Sequence, residues 1–97
     1  TNQIHYYLIG KHSSNRLIGL LREVMPPGSD TGESMLEHEG EEGGVVIQGQ
    51  IELTVGEQVR VLGPGEGYYF ESRIPHRFRN VGEIDAILVS ANTPASF

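Results

Sequence analysis

Short apolar runs that alternate with polar residues recur along this chain about every ten positions, with turn-forming residues between them. The clearest pair occupies positions 51–55 and 59–62, where the letters read IELTV and VRVL. The gaps QGQ and GEQ, one before each run, contain glycine and have the length of tight turns. Strands of this length and spacing are typical of an antiparallel sandwich or barrel, so the sequence predicts an all-β fold.

Further runs rich in aromatic and β-branched residues extend the pattern over the rest of the chain. They occupy positions 4–9, 45–47, 68–70, 74–80 and 84–91. Positions 16–25, RLIGLLREVM, leave two alternatives open, because only their second half alternates. A helix there would end early at Pro26 and Pro27, and Gly19 weakens both alternatives. The all-β interpretation takes this segment as a strand.

The length and composition describe one small domain. A chain of 97 residues holds a modest core, and we expect positions 1–97 to form a single domain. Thirteen glycines and five prolines favour many short elements over a few long helices. The sequence has no cysteine, which excludes disulfides and thiolate metal sites and fits a reducing compartment such as the cytoplasm.

The charge balance argues against two classes of partner. Seven basic and thirteen acidic residues give a net charge of -6, and a negative surface repels the phosphate backbone of nucleic acids. No apolar run approaches the roughly 20 residues that span a bilayer, and the first residues do not form a signal-peptide pattern. We therefore expect this chain itself to contact neither DNA nor a membrane.

Two of the four histidines have neighbours that indicate a binding site. His38 ends an alternating stretch, and Glu42 follows four residues later across a glycine-containing bend. His5 and His12 lie in a predicted strand and a polar loop without such neighbours, so we expect no functional role for them.

The other histidine of interest is His76, which shares a strand face with Phe78 and Asn80. Arg77 and Arg79 occupy the opposite face and are expected to face water, so His76 should point inward. An inward histidine near a second histidine and a carboxylate is an arrangement that first-row metals use. The alternative is a buried histidine that hydrogen-bonds a neighbour.

Gly44 shares its predicted strand face with Glu42 and Val46. If that face points inward, the missing side chain leaves a void beside the carboxylate, and a void with converging polar groups is a ligand pocket. The alternative is that the glycines at positions 40, 43 and 44 only permit a turn or a bulge. The remaining glutamates nearby are expected to form a solvated acidic rim, which a cationic ligand can use: Glu33, Glu37, Glu39 and Glu41.

The stretch LEHEGEEGGVVIQG, at positions 36–49, resembles the first motif of the cupins. That motif runs Gly, five residues, His-x-His, three or four residues, Glu, six residues, Gly. Six residues separate Gly49 from Glu42, and three separate Glu42 from His38. The earlier histidine of the motif falls on Leu36, which departs from the family pattern.

The second cupin motif runs Gly, five residues, Pro-x-Gly, two residues, His, three residues, Asn. Gly65, His76 and Asn80 match it, whereas Glu71 and Arg73 replace the proline and the second glycine. The resemblance implies a small antiparallel double-stranded β-helix, a jelly-roll barrel.

A narrower resemblance concerns bacterial regulators that join an XRE-type helix-turn-helix domain to a cupin domain, with the putrescine-responsive repressors as the nearest subgroup. It rests on HEGEEGGVVIQGQIELTVGEQ, IPHRFRN and the closing SANTPASF, and it covers positions 26–97. The resemblance implies an effector-sensing domain, a homodimer, and a DNA-binding half that precedes Thr1 and is absent from this chain.

For the site, the resemblance implies that a small effector, such as a polyamine or another small metabolite, binds inside the barrel. The expected ligand contacts are His38, Glu42, Gly44, His76, Phe78 and Asn80. With Leu36 in place of one metal ligand, His38, Glu42 and His76 remain to hold zinc, iron, nickel or manganese. Two alternatives stay open: a small metal-dependent cupin dioxygenase or isomerase, and a purely structural dimerisation barrel.

Overall fold

The computed structural model describes residues 3–10, 15–32 and 38–95, and the regular elements in these ranges are all β-strands. The strands are β1 (His5–Leu8), β2 (Gly19–Met25), β3 (Glu41–Gln48), β4 (Ile51–Val55), β5 (Gln58–Leu62), β6 (Gly67–Glu71), β7 (His76–Asn80) and β8 (Ala86–Thr93). The predicted all-β fold is confirmed, and Gly19–Met25 is a strand rather than part of a helix. Within the described ranges no helix is long and apolar enough to cross a membrane.

The strands form two antiparallel sheets that face each other. The strand order is β1-β2-β8-β3-β6 in the larger sheet and β5-β4-β7 in the smaller one. Met25, Val46 and Leu88 of the larger sheet and Leu53 and Phe78 of the smaller sheet belong to one buried apolar cluster. The two inner faces therefore enclose a single core, as in a jelly-roll barrel.

Alternation along each strand decides which side chains enter that core. On β7, His76, Phe78 and Asn80 are all buried, which confirms the predicted inward face. On β8, Ala86 and Leu88 are fully buried in the same way. The inner layer thus contains polar as well as apolar side chains, and the polar ones build the site described below.

The arginines of β7 lie on its outward face, as predicted, and each also pairs with a carboxylate. Arg77 is half-buried, and its guanidinium lies 2.7 Å from the carboxylate of Asp30. Arg79 lies 3.1 Å from the carboxylate of Glu52 on the neighbouring strand β4. Both arginines therefore fix β7 to adjacent segments through charge-assisted hydrogen bonds.

Residues 28–31 cover the free edge of β7. The Gly28 N–H donates to the carbonyl of Asn80 (3.3 Å), and the Asn80 N–H donates to the carbonyl of Ser29 (2.9 Å). The Thr31 N–H donates to the carbonyl of Phe78 at 3.0 Å. Pairing satisfies backbone groups that an edge strand would otherwise expose, so β7 has a fixed position.

The segment that leads into β3 is pinned to the turn after β6. The His38 N–H donates to the carbonyl of Ser72 (3.0 Å), and the Ser72 N–H donates to the carbonyl of Gly40 (2.9 Å). Gly40 has a φ of +101°, and a Cβ at this position would overlap the backbone carbonyl of Thr93. Only glycine fits this close approach, which holds His38 next to the strand that carries Glu42.

We expect Gly40→Ala to reduce the free energy of unfolding far more than Gly65→Ala. Gly65 also has a positive φ, of +85°, but no atom lies within 4 Å of a Cβ there. Gly65→Ala should therefore cost only the conformational penalty, about 1–2 kcal/mol. Gly40→Ala adds the overlap with Thr93 and should cost at least about 2 kcal/mol more. Urea denaturation of both variants measures the difference, and equal losses would contradict the assigned close contact.

Candidate functional site

His38, Glu42 and His76 meet at one end of the barrel and form the cluster that we call the His–Glu–His cluster. One side-chain donor atom of each residue lies within 4.8 Å of the others. His38 lies just before β3, Glu42 is the second residue of β3, and His76 is the first residue of β7. The cluster therefore joins the larger sheet to the smaller one, and it contains the three residues predicted as metal ligands.

His76 has a defined ring orientation within the cluster. It is fully buried, and its Nδ1 lies 2.7 Å from the carbonyl oxygen of Ile74. A carbonyl oxygen can only accept a hydrogen bond, so Nδ1 carries the proton and donates it. In the neutral ring the lone pair is then on Nε2, which is the tautomer found in metal-bound histidines.

His38 provides the accessible side of the cluster. Its side chain is exposed to solvent, while its backbone is held by Ser72. The rings of His38 and His76 have centroids 5.2 Å apart and an interplanar angle of 76°. One imidazole is therefore held rigidly inside, and the other is free to adjust its side-chain torsions towards a ligand.

Glu42 is a half-buried carboxylate whose pKa is strongly perturbed. Burial, together with the nearby charge of Glu23, raises the pKa of Glu42 to about 7. A hydrogen bond from the hydroxyl of Tyr68 to the Glu42 Oε2 (3.2 Å) opposes this rise. A bound cation would favour the ionised form of Glu42, so the site gains from a positively charged ligand or metal near neutral pH.

Glu23 is a second inward carboxylate, which the sequence analysis did not single out. It lies on β2, and its Oε2 accepts a hydrogen bond of 2.7 Å from the Ser90 hydroxyl. Burial raises the pKa of Glu23, and the Ser90 hydrogen bond opposes that rise. Glu23 shares strand parity with Leu21 and Met25, so alternation of β2 was a signal that could have identified it.

Tyr68 is the other important residue that sequence reasoning missed. Its ring stacks on Phe70 with centroids 5.7 Å apart and meets the edge of Phe78 at 5.4 Å. Burial raises the pKa of the Tyr68 phenol, and the neighbouring charge of Glu42 adds to the rise. Tyr68 therefore remains a neutral hydrogen-bond donor to Glu42.

The space above Gly44 is filled, which corrects the prediction of a void. A Cβ at Gly44 would lie 2.5 Å from the hydroxyl oxygen of Tyr68 and 2.7 Å from its Cζ atom. The missing side chain thus makes room for the Tyr68 ring. Gly44 allows Tyr68 to reach Glu42, because a larger residue would displace the phenol.

The side chain of Asn80 stabilises the fold through hydrogen bonds to backbone groups. This corrects the prediction that Asn80 contacts a ligand. Its amide nitrogen donates to the carbonyls of Met25 (2.7 Å) and Ile84 (2.9 Å). Its amide oxygen accepts from the Gly82 N–H at 2.8 Å. Four residues along a strand correspond to roughly 13 Å, so Asn80 lies at the far end of β7 from His76.

The remaining predicted residues fall into three groups. Phe78 is buried between the cluster and the core, with its ring centroid 6.4 Å from that of His76. Glu39 and Glu41 are exposed, as expected for an acidic rim. Leu36, the substituted position of the first cupin motif, lies outside the described residues. The same is true of Glu33, Glu37 and His12.

The His–Glu–His cluster has the composition of a metal site. Two neutral imidazoles and one carboxylate suit zinc, iron, nickel or manganese. Bonds of about 2.1 Å place two ligand atoms at most about 4.2 Å apart, so donors separated by up to 4.8 Å must close by roughly half an ångström. The exposed His38 side chain can supply that movement, and three ligands leave coordination positions open.

We expect the metal-free protein to lose stability as the pH rises from about 4.5 to about 7. The pKa of Glu42 is raised from its ordinary 4.5 to about 7 in the folded protein, so the folded state binds this proton more tightly than the unfolded chain. The resulting stability is complete below pH 4.5 and is lost through pH 7, by up to about 3 kcal/mol.

Urea denaturation across this pH range in metal-free buffer measures the effect. Glu42→Gln should flatten the profile, although Glu23 continues to contribute. Glu41→Gln, which removes an exposed carboxylate from the adjacent position, should leave the profile unchanged. Parallel profiles for the wild type and Glu42→Gln would show that Glu42 titrates normally.

Comparison with known proteins identifies relatives of the chain. Residues 21–92 match the family model described as a cupin domain. Over 90 residues the chain is 37% identical to the HTH-type transcriptional regulator PuuR of Escherichia coli (strain K12), a match that covers 93% of this chain and 48% of the regulator. The chain therefore spans about half the length of the curated relatives it matches.

Solved structures share the same fold. The cupin domain of an XRE family transcriptional regulator from Enterobacter cloacae has a TM-score of 0.82 and 22% identity, covering 93% of this chain and 95% of that domain. A sugar phosphate isomerase of the cupin superfamily from Silicibacter pomeroyi has a TM-score of 0.79 and 20% identity, covering 93% of this chain and 59% of the isomerase. The same barrel thus occurs in regulators and in enzymes. With this barrel and a family match over most of its length, the chain belongs to the cupin family.

Proposed function

We propose that this chain is the ligand-sensing cupin domain of a bacterial DNA-binding transcriptional regulator, and that a small effector binds at the His–Glu–His cluster. The observation that carries the proposal is the meeting of two imidazoles and a carboxylate from opposite sheets at one end of the barrel. The 37% identity to a transcriptional regulator over 93% of the chain supports a regulatory role.

A cationic amine is the effector class that best matches the charges. Glu42 and Glu23 are inward carboxylates, and none of the ion pairs among the described residues involves either of them. A protonated amine offsets the cost of burying such charges and donates hydrogen bonds to them. The aromatic rings of Tyr68, Phe70 and Phe78 provide a surface for the methylene groups of a polyamine.

The effector signal passes from the cluster to the rest of the regulator through the two sheets. Glu42 belongs to the larger sheet and His76 to the smaller one, so a ligand that contacts both favours one relative position of the sheets. Only an effector with different affinities for two states shifts their populations. In this proposal the chain forms a cytoplasmic homodimer, and the DNA-binding domain precedes it in the full protein.

Strand β1 is a candidate contact in that homodimer. It is an edge strand of the larger sheet, and its Tyr6 and Tyr7 side chains are 55% and 47% exposed. An exposed edge with aromatic residues gains from pairing with a second copy.

A metal bound by His38, Glu42 and His76 would supply a Lewis acid for an effector group with a free lone pair, such as a carboxylate, and would take the place of a protonated amine at Glu42. This chain's own residues orient that group, because His76 is fixed by Ile74 and Glu42 by Tyr68. A metal-dependent enzyme is the second candidate function, because two imidazoles and one carboxylate would leave coordination positions open on a bound metal.

Isothermal titration calorimetry with polyamines, amino acids and organic acids tests the effector proposal. We expect a polyamine to bind, and Glu42→Gln to weaken binding by at least about tenfold through loss of a charge-assisted hydrogen bond. Glu41→Gln is the matched control, because it changes the net charge equally from an exposed neighbouring position. Absence of binding by every compound in the panel would refute the sensor proposal.

Metal titration followed by metal analysis separates the two candidate functions. We expect zinc or manganese to bind at one equivalent and His76→Ala to abolish binding, because a ligand is lost. His5→Ala, on the exposed strand β1, should bind as the wild type does. A stoichiometric iron that supports oxygen uptake with a substrate would favour the enzyme over the sensor.

A further inference from the structure

A cavity of about 430 Å³ opens between the edges of the two sheets, and we call it the lateral cavity. Strand β5 is the edge of the smaller sheet, and β6 is an edge of the larger one, so the barrel is open where they face each other. Its apolar lining consists of Leu53, Val55, Leu62, Tyr68, Phe70 and Ile74. A cavity of this size accommodates a small molecule.

Strand β5 turns its polar residues towards this cavity. Arg60 and Gln58 line the cavity and share strand parity with Leu62, which is 1% exposed in the core. Val59 and Val61 lie on the opposite face and are 57% and 53% exposed. If burial alone decided the orientation, the valines would face inward. The strand instead exposes two valines and places Arg60, which is itself exposed to solvent, at the opening of the cavity.

The charge of Arg60 is not matched by another side chain of the described residues. Among residues 3–10, 15–32 and 38–95, no hydrogen bond or ion pair of its guanidinium is found. The other charged residue of the lining, Glu71, is already bound to Arg73 at 3.1 Å. The lateral cavity therefore combines an apolar wall with one solvent-accessible positive charge that no carboxylate of the described residues pairs, in a chain whose net charge is -6.

We propose that the lateral cavity binds a small organic anion, with its carboxylate on Arg60 and its apolar body against the wall of Leu62, Phe70 and Ile74. A guanidinium recognises a carboxylate through two parallel hydrogen bonds, which gives orientation as well as affinity. The apolar wall selects for a hydrocarbon or aromatic body over a free inorganic anion.

This site is a compartment separate from the His–Glu–His cluster, but two side chains belong to both. Tyr68 lines the lateral cavity and donates a hydrogen bond to Glu42. Phe70 lines the cavity and has its ring centroid 4.7 Å from that of His76. An anion that packs against these rings therefore contacts two side chains that also touch the cluster.

Calorimetric titration of the chain in metal-free buffer with 4-phenylbutyrate and its neutral amide, 4-phenylbutanamide, tests the proposal. We expect the carboxylate to bind at least about tenfold more tightly than the amide, because only the carboxylate pairs with Arg60. Arg60→Gln should weaken carboxylate binding by a similar factor, and Arg60→Lys should restore part of it.

Arg22→Gln is the matched control, because this substitution changes the net charge by the same amount as Arg60→Gln. Arg22 lies on the outer face of β2, over the ring of Tyr7. The control substitution should alter binding by less than about twofold. Amide-proton shifts in NMR spectra should move for β5 and β6 when the carboxylate is added. Thermal unfolding of each variant verifies that the fold is retained.

Failure of the carboxylate to bind, equal binding of the amide, or unchanged binding by Arg60→Gln would each overturn the proposal. These outcomes are independent of the polyamine titration, because Arg60→Gln leaves Glu42 and His76 in place. If Arg60→Gln loses binding of the carboxylate but still binds a polyamine, the chain has two compartments with opposite charge preference.

Discussion

The inner faces of the two antiparallel sheets pack against each other, and the core and the His–Glu–His cluster both depend on that contact. Apolar residues such as Leu88 and Ile51 supply most of its free energy, at roughly 25 cal/mol for each Å² removed from water. The same layer also contains polar side chains, which must be satisfied after they leave water. How well each is satisfied distinguishes structural from functional residues. Asn80 makes three hydrogen bonds to backbone groups, whereas Glu42 keeps a carboxylate whose pKa is about 7.

Tyr68 connects the regions in which that distinction matters. Its hydroxyl binds Glu42, its ring occupies the space that Gly44 leaves, and the residue also lines the lateral cavity. A ligand on either side therefore acts on a side chain that both compartments share. Because protein interiors are close-packed, displacement of such a ring is transmitted to its neighbours instead of being absorbed locally.

Much of the barrel could be predicted from the chain, since strand alternation is a local property. The inward face of His76, Phe78 and Asn80 followed from parity alone, and parity would also have indicated Glu23. Parity could not tell that the Asn80 amide binds the carbonyl of Met25, or that a ring from β6 fills the space above Gly44. Those facts depend on which strands are neighbours, and β3 pairs with both β6 and β8.

The sequence by itself determined the strands, the turns, the family motifs and the residue types available for chemistry. It did so because hydrophobic period and turn preferences act over a few neighbouring residues. Only the tertiary structure decided that His38, Glu42 and His76 meet, that Ser90 binds Glu23, and that Arg60 lines a cavity. These contacts join residues far apart in the chain, and strand pairing and register set them, through the burial of one face of each sheet.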